Sequence, residues 1–392
     1  MRIGRTVPPA AAPLSWRDLW HGIVGLVPGT RPLEAREEEL RREFGADRVF
    51  LVSSGSAALA LALIALKSLS KRPDVIVPAY TCFSVPAAVL KAGLRPVPCD
   101  IDPATFDYDP DLLREALTSE TLGVVVHHLF GVPSDIARTK ALCAGRGIFV
   151  IEDAAQAMGV TDGGRKLGTL GDVGIFSFGR GKNITCGGGG ALLTSAREIA
   201  GAIDRCYARL SSPPCVECAK DFCRTLLMTI FIRPRLYWIP ASVPALRLGE
   251  TIFPHDVPVQ RMTRLKAGLL RGWRRRLARA NRIRSEAAAR FGALLPMPSV
   301  KAHPYLRLPV AVSSAEARRE LHVASRVRGL GLSGGYPTPV SDIPQVRSRI
   351  DGQQFPAAGR VAEQLLTIPT HHWLTENDRR AIADLWQRAA SA

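Results

Sequence analysis

The chain has 392 residues, 46% of them hydrophobic and 22% charged, which accommodates two domains around a large core and excludes a disordered polypeptide. Fifty-two lysines and arginines against 35 acidic residues give a formal net charge of +17, which favours anionic partners (phosphorylated substrates, nucleic acid, anionic lipid) without choosing among them. The opening MRIGRTVPPAAAPLSW lacks a continuous apolar run and does not read as a secretory signal, so a cytoplasmic setting with eight free thiols is expected.

An N-terminal segment, 1–39, precedes a large α/β domain expected over 40–205. Within it the β-branched runs DVIVPAY, RPVPCDID, LGVVVHHLF, GIFVIEDAA, VGIFSF and GGALLTS read as strands, with helical stretches such as 57–66 and 135–145 between them. Several runs are nearly continuous in apolar residues, as strands covered on both faces require, so the sheet is expected to be largely parallel and sandwiched by helices.

SSPPC at 211–215 marks a break, and 206–260 reads as an apolar connector. Its core, TLLMTIFIRPRLYWIPASVPALRL, is interrupted by Arg233, Pro234, Arg235, Pro240 and Pro244, too often for one membrane-crossing helix of about 20 residues. Contact with a lipid surface, a subunit interface or a cover over the substrate cleft all stay open for it. Cys215 and Cys218 form a CxxC, but no second pair or His pair completes a zinc or iron–sulfur pattern, so no metal site is expected.

From 261 to 392 a long helix and a small α+β domain are expected. Met262, Leu265, Leu269, Trp273, Leu277, Ala280, Ile283 and Ala287 form one apolar stripe, and the seven arginines between Arg271 and Arg284 read mostly as its solvated face. Beside the preceding apolar segment they also raise a peripheral membrane contact through 225–284. A strand-like YLRLPVAV, a turn-rich GLSGGYPTPV and a helix after LTEND follow.

Chemistry concentrates in three places in the large domain. The turn Ser54–Gly55–Ser56 opens an Ala/Leu-rich helix whose N-terminal N–H groups suit a phosphate, although an ordinary Ser cap explains it equally. FVIEDAAQAMG ends a buried strand in Glu152 and Asp153, where carboxylates of parallel sheets face ligands; a helix cap also fits Asp153. In FGRGKNITCGGGG, Lys182 sits among glycines. A phosphate-binding P-loop fails there because Phe176 and Asn183 occupy its key places, and a dinucleotide fingerprint fails at Ile184. A phosphate cradle, an acid for a ring nitrogen and an amine together form the protein side of pyridoxal phosphate binding.

In this order SSGSAALALAL, VIVPAYT, RPVPCDIDPATFDYD, VVHHLFGVPSDI, VIEDAAQAMG, GRKLGTLGDVGIFSFGRGKN and LTIPTHHWLTENDR resemble the DegT-type nucleotide-sugar aminotransferases. These belong to fold-type I of the pyridoxal-phosphate enzymes: a mostly parallel sheet sandwiched by helices, plus a smaller C-terminal α+β domain. The resemblance implies that Lys182 forms the Schiff base with pyridoxal 5′-phosphate and that Asp153 pairs with its pyridinium nitrogen. Gln156 would lie near the phenolic oxygen, and Ser56, the backbone at Ala57 and Ser177 would hold the phosphate. His128 matches a motif position without an assigned role. Where relatives commonly place a stacking aromatic ring this chain has Cys82, so either the thiol packs on the cofactor or Tyr80 or Phe83 supplies the ring.

The function implied is transfer of an amino group, from glutamate, to a keto-sugar carried on a nucleotide, for surface polysaccharide or glycoconjugate synthesis, by a homodimer. A non-sugar or lipid-linked carbonyl at the inner face of the membrane is the alternative acceptor, and a non-catalytic regulatory protein on the same fold the alternative class. No recognisable nucleic-acid-binding motif accompanies the net charge, so no specific nucleic-acid partner is expected.

Overall fold

The computed structural model describes residues 2–295, 300–348, 350 and 352–390; positions 1 and 391–392, at the outer bounds of the expected segments, lie outside them. The strands are β1 (Arg48–Val52), β2 (Asp74–Pro78), β3 (Arg95–Cys99), β4 (Thr121–His127), β5 (Phe149–Asp153), β6 (Thr161–Asp162), β7 (Arg165–Lys166), β8 (Val173–Ser177), β9 (Gly190–Thr194), β10 (Arg307–Ala311) and β11 (Leu365–Pro369).

A seven-stranded sheet has the order β1-β9-β8-β5-β4-β2-β3. Strands β3, β2, β4, β5 and β8 pair in parallel, whereas β9 runs antiparallel to both β8 and β1. Every strand except β9 therefore ends at the same edge, and the residues following β1, β2, β4, β5 and β8 converge there. The reversed strand also makes the lysine stretch the connection of a long hairpin between β8 and β9.

The helix Gly55–Lys67 is Ala- and Leu-rich on all sides, and residues 57–63, 65 and 66 are all buried. It lies against β8, β9 and the helices Ser84–Lys91 and Arg197–Ala208, as expected of a helix without a polar face. Small side chains allow this close approach and fix where its N-terminus emerges.

The connector returns to the sheet: Gln260 O accepts from Ser53 N (2.9 Å), Leu51 O accepts from Met262 N (3.2 Å), and Arg261 bridges Val52 beside β1. Before that, the helix Cys215–Phe231 buries Asp221, Thr225 and Thr229, and Asp221 pairs with Lys266 at 2.9 Å. No helix among the described residues is long and apolar enough to cross a membrane.

The expected single helix after Met262 is two helices, Arg264–Leu269 and Trp273–Leu294. Gly272 separates them with φ +74°, a left-handed conformation that lets the chain turn so that Trp273 and Leu269 both stay buried. Nor is the arginine run uniformly solvated. Arg284 is 2% exposed, because its position on the second helix faces the lysine loop rather than water.

Strands β10 and β11 pair antiparallel beneath the helices Ala315–Arg328, Pro356–Gln364 and Glu376–Ala390. The beginning of the chain is strapped across this part. Val7 is fully buried in its core and donates to Gly329 O at 2.9 Å, and Arg5 grips Asp378 through two 2.6 Å bonds.

Glu37, on the helix Pro32–Phe44, is pushed up to about 7 by burial, against weak hydrogen bonds from Leu51 N–H and the Tyr207 hydroxyl. A folded-state value above the unfolded one means that stability is fully present below the unfolded value of about 4.5 and is lost as pH rises through about 7. Glu37→Gln is therefore expected to unfold at a higher temperature than the parent at pH 8, by up to about 3 kcal/mol, with the difference closing towards pH 4.5. Melting curves across that range check it; equal melting temperatures throughout would refute it.

Candidate active site

At the common strand edge lies a cavity of about 170 Å³ lined by the turn Ser54–Ser56, by Thr81 and Cys82, and by His127, His128, Asp153, Gln156, Ser177, Lys182 and Tyr336. The parallel sheet brings these together from positions far apart in sequence, as open α/β sheets do at the carboxyl ends of their strands.

Ser54 caps the Gly55–Lys67 helix, its hydroxyl accepting from Ala57 N at 3.0 Å. Ala57 N–H is thus already bonded, while the Gly55 and Ser56 N–H groups and the Ser56 hydroxyl have no hydrogen-bond partner among the described residues. These donors at the positive helix end suit a phosphate. A Cβ on Gly55 would stand 2.7 Å from Ser177 Cβ and 2.9 Å from its Oγ, so only glycine lets the helix start meet the end of β8. That approach sets the Ser177 hydroxyl beside the same donors.

On β5, alternation sends Glu152 and Asp153 to opposite sides. Glu152 is fully buried and accepts from His128 Nε2 (2.8 Å), Gly168 N (2.5 Å), Leu170 N (2.6 Å) and Gly171 N (2.9 Å). Burial alone would raise its carboxyl; the His128 bond and the backbone donors outweigh it and hold it below the usual value. Glu152 is a structural anion, and His128, with Nδ1 accepting from Ser134 N (3.0 Å), is the residue that anchors it to the cavity wall. Asp153 is half-buried, and one of its oxygens accepts from Ala155 N at 3.0 Å. Its other oxygen has no partner among the described residues and is available to a ligand.

His127 lies directly across from Asp153 in the β4–β5 register. Its ring contacts the Thr81 hydroxyl (3.0 Å) and Phe106 O (2.9 Å); Nε2–H donating to the carbonyl and Nδ1 accepting from Thr81 satisfies both. Burial holds this imidazole below its ordinary value, in the neutral form.

Gln156 bridges two parts of the chain. Its oxygen accepts from Phe130 N at 3.1 Å, steadying a residue with φ +57°, and its amide donates to the Tyr336 hydroxyl at 2.9 Å. Tyr336 comes from the turn-rich stretch of the C-terminal part, which carries no distinctive sign of a site beyond the glycine pair before the tyrosine. Its N–H donates to the hydroxyl of Tyr80 at 2.9 Å. Neither Tyr80 nor Phe83 lines the cavity: Tyr80 is fully buried against the Tyr336 ring, and Phe83 is buried in the core beneath the helices. Cys82 does line it, with the Ser84 hydroxyl donating to its sulfur at 3.1 Å, and the tyrosine that lines it is Tyr336.

Lys182 sits in the β8–β9 hairpin, whose base is closed by Phe178 N to Gly189 O (2.8 Å) and Cys186 N to Phe178 O (3.2 Å). Its amine has no hydrogen bond or ion pair among the described residues. The loop is held from behind by Arg284, which donates to Lys182 O (3.3 Å), Asn183 O (3.1 Å) and Asn281 Oδ1 (2.9 Å). Burial pushes this guanidinium down to about 10. Sequence reasoning missed this brace because an arginine in a run of arginines on a helix reads as solvated.

Open donors at the helix start, an uncommitted Asp153 oxygen and a partner-free lysine fit a phosphorylated, cationic, carbonyl-bearing ring. The sheet has the topology of the fold-type I pyridoxal-phosphate enzymes, and this set of residues suits that cofactor. The sequence profile of the DegT/DnrJ/EryC1/StrS aminotransferase family matches residues 30–220, and by its similarity to such enzymes the chain is a pyridoxal-phosphate aminotransferase. It is 28% identical over 381 residues, 93% of this chain and 90% of the relative, to dTDP-4-dehydro-2,3,6-trideoxy-D-glucose 4-aminotransferase of Saccharopolyspora spinosa. It is 39% identical over 168 residues to L-glutamine:2-deoxy-scyllo-inosose aminotransferase of Streptomyces kanamyceticus, covering 41% of this chain and 39% of that one. Among solved structures it is similar to Helicobacter pylori PseC, an aminotransferase involved in the biosynthesis of pseudoaminic acid, with a TM-score of 0.78 at 16% identity over 98% of this chain and 99% of that one.

Two substitutions check the geometry. Gly55→Ala is expected to leave the chain folded while weakening pyridoxal phosphate retention about tenfold or more, since a charge-assisted bond contributes roughly 1.5–3 kcal/mol; spectrophotometric titration measures it, and unchanged affinity would contradict the cradle. Arg284→Met strands the Lys182 and Asn183 carbonyls and is expected to cost roughly 2–4 kcal/mol in urea unfolding of the cofactor-free protein.

Proposed function

We propose that this chain transfers an amino group from glutamate to the carbonyl of a keto-sugar carried on a nucleotide, in the synthesis of a surface polysaccharide or glycoconjugate. What carries the reading is the convergence of Lys182, Asp153 and the Ser54–Ser56 and Ser177 hydroxyl and N–H groups on one cavity. The near full-length similarity to a dTDP-keto-sugar aminotransferase supports the acceptor class.

Bound pyridoxal phosphate supplies a carbonyl that condenses with amines and a protonated ring that takes up the electron pair left when Cα loses its proton. Ser56, Ser177 and the Gly55 and Ser56 N–H groups hold its phosphate. The free oxygen of Asp153 keeps the ring nitrogen protonated by ion pairing, and neutral His127 beside it adds no competing positive charge. Gln156, fixed by Phe130 and Tyr336, would lie near the ring's phenolic oxygen. Lys182, the partner-free amine at the cavity, would hold the cofactor covalently, and its free amine would carry the proton taken from the donor's Cα. Cys82 and Tyr336 line the cavity where a face of the ring would lie.

A second reading replaces the nucleotide sugar by a carbonyl not attached to a nucleotide. The similarity to the 2-deoxy-scyllo-inosose enzyme, named for glutamine as donor, favours it; for a lipid-linked acceptor the exposed Leu227, Ile239, Val243 and Leu246 give support. In both readings the enzyme would be a homodimer, as the resemblance implies, in the cytoplasm or associated with the inner face of the membrane.

Borohydride reduction of the yellow holoenzyme followed by peptide mapping is expected to place the cofactor on Lys182, and Lys182→Ala to lose the attachment; a label on another lysine would overturn the assignment. Amine-loaded enzyme mixed with nucleotide-linked keto-sugars is expected to regain the aldehyde spectrum in a single turnover. Recovery only with nucleotide-free cyclic or lipid-linked ketones would replace the first reading by the second.

A further inference from the structure

A second cavity, of about 330 Å³, lies against the segment following Lys182 and shares no lining residue with the first. Its charged and polar walls include Arg276, Arg279, Arg284, Asn183, His372 and Asp18. Three guanidiniums thus face one carboxylate, and that carboxylate is largely committed: Asp18 accepts from Ser15 N (2.8 Å) and Ser15 Oγ (2.7 Å) and stands 3.7 Å from Arg276 Nε. Arg284 is buried with only neutral oxygens as partners and forms no ion pair among the described residues. Asn183 is 1% exposed, yet neither its amide nitrogen nor its oxygen has a hydrogen-bond partner among the described residues.

A buried cation without counter-charge and a buried amide without partners are each unfavourable. An anion with several acceptor oxygens in this space relieves the first and supplies the amide nitrogen of the second, because planar guanidinium forks pair with phosphate oxygens and the Asn183 amide N–H donates to another. We propose that this cavity is a binding site for a phosphate-type anion, either free or as the diphosphate of a nucleotide. The excess of two positive charges favours a dianion over a single carboxylate. Arg284 also holds the Lys182 and Asn183 carbonyls, so the occupied site would brace the lysine loop from the side away from its amine. The inference does not depend on which acceptor the enzyme aminates.

Isothermal titration of the pyridoxal-phosphate-loaded protein with inorganic pyrophosphate, and separately with a nucleoside diphosphate, tests it at near-physiological salt. The expected result is one saturable site per chain, weakened about tenfold or more by Arg279→Glu, an exposed position whose reversal spares the core, with the cofactor's absorbance retained. Ser177→Ala, on the other cavity, is expected to leave pyrophosphate affinity unchanged. Tighter, competing binding of the nucleoside diphosphate assigns the site to a nucleotide; equal or weaker binding assigns it to free phosphate. Absence of saturable heat, or affinity indifferent to Arg279→Glu, overturns the proposal.

Discussion

The buried carboxylate of Glu152 is the constraint around which the site is arranged. An anion in a dry interior survives only if its lone pairs are filled, and here one imidazole and three backbone N–H groups fill them. Those donors belong to the stretch after β4 and to the loop before β8. The single group at the end of β5 therefore locks three neighbouring strand ends together. Because side chains alternate along a strand, fixing Glu152 on one side presents Asp153 on the other, next to the cavity, without any bond of its own to the same network.

The other half of the positioning comes from outside the sheet. Tyr336 reaches in from the C-terminal part, fastened to Tyr80 by its backbone and to Gln156 by its hydroxyl, and Arg284 reaches in from the long helix to the carbonyls of the lysine loop. Both are polar groups buried where every partner counts, so a small shift of the C-terminal part is transmitted to the cavity walls. The tyrosine that lines the cavity and the brace behind the lysine are thus supplied by segments that contribute no strand to the main sheet.

Much of this was legible in the chain itself. Strands β2, β3, β4, β5, β8 and β9 announce themselves by β-branched runs too apolar to be half-exposed, and the glycine-flanked lysine, the acid-ended strand and the serine turn could be read from their order. The reversed direction of β9 could not, since a run such as GGALLTS looks the same in either orientation and only the pairing partner distinguishes them. The helix break at Gly272 was hidden because the apolar spacing continues across it. Tyr336, Arg284 and the His128–Glu152 bond were out of reach for a common reason: each acts through a partner distant in sequence, and local pattern carries no information about such pairings. Cys82, read as a departure from the expected ring, does line the cavity, while the two aromatic substitutes considered beside it are consumed by the core.

The reversed strand has a consequence for how the molecule assembles. Strand β9 pairs residue for residue with β1, Arg48 with Thr194 and Val52 with Gly190, so the serine turn after one and the lysine loop before the other meet only when the chain closes on itself across nearly the whole domain. Contacts of such sequence separation form late, because the entropy of closing the loop must be overcome first. The serine turn and the lysine loop therefore come together only as the sheet closes, and a nascent or truncated chain lacking β9 carries Lys182 on a loop whose far side has no strand to pair with β8 and β1. Loading with pyridoxal phosphate becomes a report on finished folding rather than a template for it.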